Sequence, residues 1–334
     1  MRLLIFALSS AAATEWQTRT SALRDALENA ASPRPSAVPL SPFDRMGTAK
    51  NDNDALPAEV IRTPLPEEYL SSKALPVAFD WRAVTVADDA PPVHYTTRVR
   101  NQFLPLWCGS CWAHAATAVL GARWLIHSKS TTYSGIDFSV QYFVNCVNIS
   151  SRGCGGGSSY QAFAHAYNYG AVDSSCLPYS AVTQQCTPHD TCQQNLHDTS
   201  KHPTINTAKP IRYFVSEYGQ VGTDGMEPQQ KEEAMLKELY ARGPIASCMA
   251  CPDDFEDHYK GGILAVNTSR SVCDHIVAIV GFGGEGDKAY WIVQNSFGSV
   301  WGEQGYFRIK RSSALQEGEH NLGIEKRVSW AMPA

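Results

Sequence analysis

The stretch Arg100-Asn101-Gln102-Phe103-Leu104-Pro105-Leu106-Trp107-Cys108-Gly109-Ser110-Cys111-Trp112-Ala113-His114-Ala115 decides how this chain is read. A loop ends and a helix begins inside it. From Trp112 onward, apolar or small residues fall at 112, 115, 116, 119, 120 and 124, the spacing of one buried helical face. Cys111 therefore sits in the first turn, where unpaired N–H groups and the positive end of the helix dipole favour an anion. A thiol so placed is expected to lose its proton easily, and the thiolate is the nucleophile. The same residues also fit a packed cysteine, half of a disulfide, or a Cys-x-x-Cys redox pair. The redox pair suits a small βαβ domain, which the rest of the chain does not supply.

The frame is 334 residues with ten cysteines and a formal net charge of −5. That length buries a large core in two lobes. The charge, with no basic block, speaks against a nucleic-acid partner. The cysteine content points to an oxidising compartment. Arg2, the apolar run Leu3 to Leu8 and Ala11-Ala12-Ala13 read as a signal peptide over residues 1–13. No later apolar run is long enough to span a bilayer. A product of the secretory pathway, delivered to a lysosome, a vacuole or the extracellular space, is expected. The sequons at Asn148 and Asn267 are then open to glycosylation.

Residues 14–74 differ in texture from the rest of the chain. One short helix is expected over Glu15 to Ala31. Beyond it lies a polar, proline-rich tract without cysteine, favouring extended or mobile backbone. It reads as a pro-segment that blocks the site until removed, with a plain disordered leader as the alternative. The folded body starts at Leu75-Pro76. Residues 75–203 are expected to be mainly helical, with helices over 111–128, 138–146 and 160–169. Residues 204–334 are expected to be mainly antiparallel β. Strands are expected at 211–215, 263–266, 276–282, 290–294 and 306–310, and a surface helix over 229–241. The glycines after Cys154 leave backbone exposed, so that a peptide could pair with it. Cys176, Cys186 and Cys192 lie in an irregular tract that reads as a disulfide-stapled loop. Zinc held with His189, His197 or His202 is a poor alternative, because no compact ligand spacing appears. No metal and no cofactor are expected.

The second half supplies a base. The runs Ile276 to Phe282 and Tyr290 to Gln294 flank the turn region Gly283 to Asp287. Centring that hairpin on Glu285 puts His275 opposite Asn295. A carboxamide in reach of an imidazole can fix its tautomer and aim it at a thiolate.

With these pieces in order, the chain resembles the papain family of cysteine proteases from about Leu75 to Ile324. The matching residues are Asp80-Trp81-Arg82, Arg100-Asn101-Gln102, Cys108-Gly109-Ser110-Cys111-Trp112, Cys154-Gly155-Gly156-Gly157, Asp274-His275, Asn295-Ser296 and Trp301-Gly302-Glu303-Gln304-Gly305-Tyr306. The resemblance implies an α+β, two-lobed fold with a helical lobe, an antiparallel β-barrel-like lobe and the active-site cleft between them. It implies Cys111 as nucleophile, His275 as base and acid, Asn295 as its orienter and Gln102 as an oxyanion donor. Gly156, Gly157, Phe103 and Trp301 would meet a peptide or protein substrate. It also implies the disulfides Cys108–Cys154, Cys146–Cys186 and Cys176–Cys192. At most one further bridge remains among Cys248, Cys251 and Cys273, and the sequence does not choose it.

Within the family, the insertion Phe103 to Trp107 after Gln102 resembles the mini-loop of the cathepsin Z branch. The resemblance implies a carboxypeptidase, with pro-segment removal near Ala74-Leu75. Three departures stand out. Phe103 occupies the position of a carboxylate-binding histidine, with Arg98, Arg100 and His94 as substitutes. Phe297 replaces the family's tryptophan after Asn-Ser, so a smaller aromatic is expected to shield the Asn295–His275 contact. The pro-segment lacks a cysteine to cap the catalytic thiol. The competing readings are a papain-like endopeptidase and a catalytically silent peptide-binding paralogue.

Overall fold

The computed structural model describes residues 56–86, 90–129, 136–147, 153–187, 194–196, 204–206, 211–223, 225–269 and 272–334. The expected signal peptide, the helix over 15–31, Asn148 and Cys192 lie outside the described residues. The strands are β1 (Phe79–Asp80), β2 (Gln194–Leu196), β3 (Thr204–Asn206), β4 (Val215–Gln220), β5 (Ile245–Met249), β6 (Ile263–Leu264), β7 (His275–Gly283), β8 (Tyr290–Gln294), β9 (Tyr306–Lys310) and β10 (Arg327–Pro333). After a single helical turn at Pro66–Tyr69, the helices are α1 (Cys111–His127), α2 (Val140–Cys146), α3 (Ser159–Tyr169), α4 (Pro228–Arg242) and α5 (Asp253–His258).

The main sheet runs β4-β10-β5-β7-β8-β9-β6, with β1 paired to β7, and its path is open. Its pairs are antiparallel except β6 with β9. The central strand β7 is buried along its whole length. Because successive side chains point to opposite faces, Ile276, Ala278 and Val280 join one apolar cluster with α1, α2 and α3. Val277, Ile279 and Phe282 join a second cluster, with Met235 and Leu239 of α4, Trp291 and Trp330. Helices therefore cover both faces of the sheet, and β7 carries His275 to its edge.

Two sequence expectations need correction. The strand expected at 211–215 lies at Val215–Gln220 instead, while Tyr213 makes only a bridge to Ala171. The helix expected at the surface, now α4, buries Lys231, Glu232, Lys237, Glu238 and Arg242 along with its apolar residues. One cause explains both. Arg242 pairs with Glu238 (2.6 Å) and with Glu217 of β4 (3.4 Å), so charged residues that look solvent-facing in sequence are inside.

Residues 57–72 bind the outside of the body. Val60 bridges Tyr218, the Tyr160 hydroxyl donates to the Pro57 carbonyl (2.7 Å), and the turn Pro66–Tyr69 packs on α4. The backbone N–H groups of Arg62 and Thr63 donate to Glu217 (2.8 and 3.0 Å), as does the Thr63 hydroxyl (2.6 Å).

Candidate active site

Cys111 is the first residue of α1, and its start is held from several sides. Ser110, just before the helix, accepts from the N–H groups of Ala113 and His114 through its carbonyl. Cys108 is joined to Cys154, and the Gly109 N–H donates to the Cys154 carbonyl (2.8 Å). That bridge takes Cys108 out of any redox pair with Cys111, which keeps its thiol. A second bridge joins Cys146 to Cys186. Cys176 is also disulfide-bonded, and its expected partner Cys192 lies outside the described residues. The bridge left open by the sequence is Cys248–Cys273. It pins the residues before His275 to β5, while Cys251 keeps a thiol.

His275 reaches Asn295 by a route other than direct opposition. Near the turn, Gly281 faces Ile292 and Gly283 faces Tyr290. Beyond an irregularity between Ile279 and Gly281, Ile279 faces Val293 and Ala278 faces Gln294. Continued outward, this register sets His275 against Phe297, two residues from the expected partner. The extra residue at Val280 matters, because a one-residue change of register exchanges the two faces of a strand. Without it Asn295 would fall on the face opposite to His275. With it they share a face, and His275 Nε2 donates to Asn295 Oδ1 (2.8 Å). The Val280 carbonyl is used by the Trp81 N–H (3.1 Å), so the bulge is held in place.

The cleft is lined by Gln102, Phe103, Trp107, Gly109, Cys111, Gly155, Gly156, Gly157, Cys251, Glu256, Cys273, Asp274, His275, Ile276 and Phe297, and has a volume of about 450 Å³. It brings together Cys111, His275, Gln102, Gly156, Gly157 and Phe103, with Asn295 behind His275. Gln102 is fixed at both ends: its Nε2 donates to the Cys108 carbonyl (3.2 Å), and Ser296 Oγ donates to its Oε1 (2.7 Å). One N–H of the carboxamide remains for a ligand in the cleft. Phe297 stacks on the His275 ring at 4.9 Å, and Phe103 stacks on Phe297 at 5.1 Å. Trp301 is not among the lining residues. It stands edge-on behind Phe297 at 5.3 Å, and its Nε1 donates to the Glu256 carbonyl.

Burial sets the electrostatics. It pushes the Cys111 thiol up, against the pull of the backbone N–H groups of Ile276 and Trp112. The helix start therefore does not lower this thiol on balance, contrary to the expectation from its position, because desolvation of the thiolate is the larger effect. The same burial pushes His275 down, opposed by the hydrogen bond to Asn295 and by the charge of Asp274. Both shifts favour the neutral pair in the unliganded cleft.

The two cleft glycines have different reasons. Gly156 has φ +116, a conformation that side-chain-bearing residues avoid. Gly157 lies against the Trp112 indole, and a Cβ there would come within 2.5 Å of Trp112 Cε2. Trp112 is fully buried beside Cys111 and cannot yield. Gly157→Ala is expected to cost about 1–3 kcal/mol of stability as overpacking, and to lower kcat by displacing the start of α1. Thermal melting and steady-state rates check this, and an unchanged melting temperature would contradict the close approach.

The comparisons with known proteins agree with this geometry. The profile described as "Papain family cysteine protease" matches residues 75–332. The chain belongs to that family. Cathepsin Z of Onchocerca volvulus is 34% identical over 265 residues, covering 78% of this chain and 78% of that protein. The digestive procathepsin L 3 of Tenebrio molitor superposes with a TM-score of 0.58 at 25% identity, covering 79% of this chain and 72% of that one. Bromelain from Ananas comosus, in complex with the E64 inhibitor, gives 0.54 at 26% identity, covering 77% and 99%. The chain is a papain-like cysteine peptidase with the α+β fold of that family.

Phe297 lies where the family resemblance expects an aromatic to shield the Asn295–His275 contact, and it stacks on the His275 ring. The pairing of Cys248 with Cys273 is the choice the sequence leaves open among three cysteines. No residues from 56 to 74 line the cleft, so within the described residues the expected blocking segment lies elsewhere.

Proposed function

We propose that the chain hydrolyses peptide bonds through a thioester on Cys111. The observation that carries this reading is the cleft shared by Cys111 and His275, with Asn295 bonded to the far nitrogen of the imidazole at 2.8 Å. His275 takes the thiol proton as Cys111 Sγ attacks the scissile carbonyl. The spare N–H of Gln102 and the Cys111 backbone N–H receive the oxyanion. His275 then gives its proton to the leaving amine, and water releases the acyl group by the reverse path. Gly156 and Gly157 offer backbone to an extended substrate. An epoxysuccinyl inhibitor should label Cys111 stoichiometrically and stop turnover, with peptide mapping to separate it from the second cleft thiol, Cys251. Labelling that leaves Cys111 unmodified would favour a silent peptide binder.

The mode of cleavage is where the cathepsin Z likeness is tested. The mini-loop supports a carboxypeptidase: Leu104, Leu106 and Trp107 stand exposed beside the cleft. A terminal carboxylate held there needs a cation or donors to offset its desolvation. The three candidate substitutes for Phe103 are engaged elsewhere. Arg98 and Arg100 both pair with Asp137, and His94 Nδ1 bonds the Thr96 carbonyl. Among the described residues, the charged side chains lining the cleft are the acidic Glu256 and Asp274 beside His275. This favours papain-like endopeptidase action as the second reading. A peptide with a free C-terminus should be preferred over its amidated twin by less than about tenfold, a weak residual of one uncharged hydrogen bond. Phe103→His should raise that preference by about 1–3 kcal/mol. Equal cleavage of both peptides at internal bonds would reject the carboxypeptidase reading.

The remaining proposals concern maturation and compartment. Three disulfides among the described residues and the exposed Asn267 support a secretory route ending in a lysosome, vacuole or extracellular space. No helix among the described residues is long and apolar enough to cross a membrane. Residues 14–74 serve as the inhibitor in this reading. Removal at Ala74-Leu75 would take three hydrogen bonds from the buried Glu217.

A further inference from the structure

Behind the catalytic pair, a cavity of about 20 Å³ is lined by His114, Asn295, Thr117, Ser296 and Arg100 among others. Two of these residues carry a buried polar atom with no hydrogen-bond partner among the described residues, His114 Nε2 and Asn295 Nδ2. Their chemistry is complementary. His114 Nδ1 faces the Ser110 carbonyl at 3.0 Å. A carbonyl can only accept, so Nδ1 carries the proton and Nε2 is a bare acceptor. Burial, reinforced by the charge of Arg100, pushes His114 down to about 3, so the ring is neutral. Asn295 Oδ1 is fixed as the acceptor, because both His275 Nε2 and the Ser296 N–H (2.8 Å) donate to it. Nδ2 is therefore a donor.

We propose that His114 is a positioning residue for the catalytic asparagine, acting through one buried water that accepts from Asn295 Nδ2 and donates to His114 Nε2. A water needs about 10–15 Å³ and two to four polar partners. The volume suffices, and Thr117 on the same wall offers a third partner. The arrangement also ties the two sides of the site together. Ser110 Oγ bonds both the His114 ring and the Tyr179 hydroxyl, and Tyr179 donates to the Gln102 carbonyl at 2.9 Å. His114 thus stands between the residue that orients His275 and the residue assigned to the oxyanion.

The inference rests on the proposed roles of Cys111, His275 and Asn295. His114→Phe keeps the ring's bulk and removes the acceptor. It should lower kcat roughly 5- to 30-fold, the loss for weakening one buried hydrogen bond, with KM within about twofold. The acid limb of the kcat/KM profile should move to lower pH. A less firmly held Asn295 supports imidazolium less, leaving burial and Asp274 to set the titration of His275. His114→Gln, which restores an acceptor, should recover most of the loss. In an Asn295→Ala background, His114→Phe should cost nothing more, because the two act through one contact. Unchanged kcat and acid limb in His114→Phe, or the same loss in both backgrounds, would overturn the proposal. Should His114→Phe fail to fold, a high-resolution crystal structure of the unsubstituted protein decides. A water within hydrogen-bond distance of both atoms supports it, and a dry cavity rejects it. Failure of the catalytic reading would show separately, as turnover retained by Cys111→Ser.

Discussion

Cys111→Ser is expected to abolish peptide hydrolysis while the protein stays folded, since one sulfur is exchanged for oxygen at the start of a helix braced by the Cys108–Cys154 bridge. His275→Ala should lose activity to a similar extent. Residues that act as a unit each cost orders of magnitude when removed, so a loss of only a few-fold would sink the assignment. The pH profile of the unsubstituted protein should be a broad bell. The active site needs one proton shared between thiol and imidazole. Below the acid limb His275 gains a second proton. Its titration there is pushed down by burial, so that limb should lie below the ordinary histidine range. Above the alkaline limb the thiol proton is lost. Burial pushes that titration up, so the limb should lie above the ordinary thiol range. The two values belong to the coupled pair and not to either residue alone. An acid limb at or above the ordinary histidine value would mean that the asparagine and Asp274 outweigh desolvation.

Much of this site is legible in the chain, because its signals are local. The small and apolar spacing after Cys111 marks the helix start, and the paired runs around Gly283 to Asp287 mark the hairpin. The features that escape are non-local. The bulge at Val280 has no mark of its own in sequence, yet it decides which face Asn295 occupies. Cys248–Cys273 depends on β5 lying beside β7, and the segment Ile245 to Met249 carries no strand signal strong enough to stand out. β4 is displaced from its expected place because Glu217 breaks the alternation of a buried strand. Only partners far away in sequence, Arg242, Arg62 and Thr63, make that glutamate acceptable inside. Residues 57–72 are polar and proline-rich, yet they pack, through hydrogen bonds to Glu217 and through Val60 and Leu65 against the two apolar clusters.

Those same partners carry the second large effect. The Arg242 guanidinium is fully buried, bonded to Glu238 at 2.6 Å and paired with Glu217 at 3.4 Å. It lies over the Trp330 ring at 3.9 Å. Glu238 also accepts from Arg123 of α1 at 2.8 Å, so the cluster joins α1, α4, β4 and the strap at Thr63. Removing one member leaves its partners as uncompensated buried charge, which costs about 3–5 kcal/mol. Arg242→Met keeps most of the volume and stacking but not the charge. It should lower the melting temperature on the order of 10 °C at neutral pH, given the sensitivity of domains of this size. The pH dependence has a definite sign. Burial pushes Glu238 up, but Arg242 and Arg123 outweigh it and hold the carboxyl below its ordinary value. A carboxylate held low contributes stability that is present above its unfolded value and lost as pH falls through the folded one. Taking Arg242 away lets Glu238 protonate at higher pH, so the gap between variant and parent should narrow in acid. Arg242→Lys should not rescue fully, because an ammonium cannot match the forked contact with Glu238. Well below the melting point the variant's kcat should stay close to the parent's, since Arg123 lies three turns along α1 from Cys111. A melting shift under about 2 °C at neutral pH would show that the cluster is replaceable by simple packing.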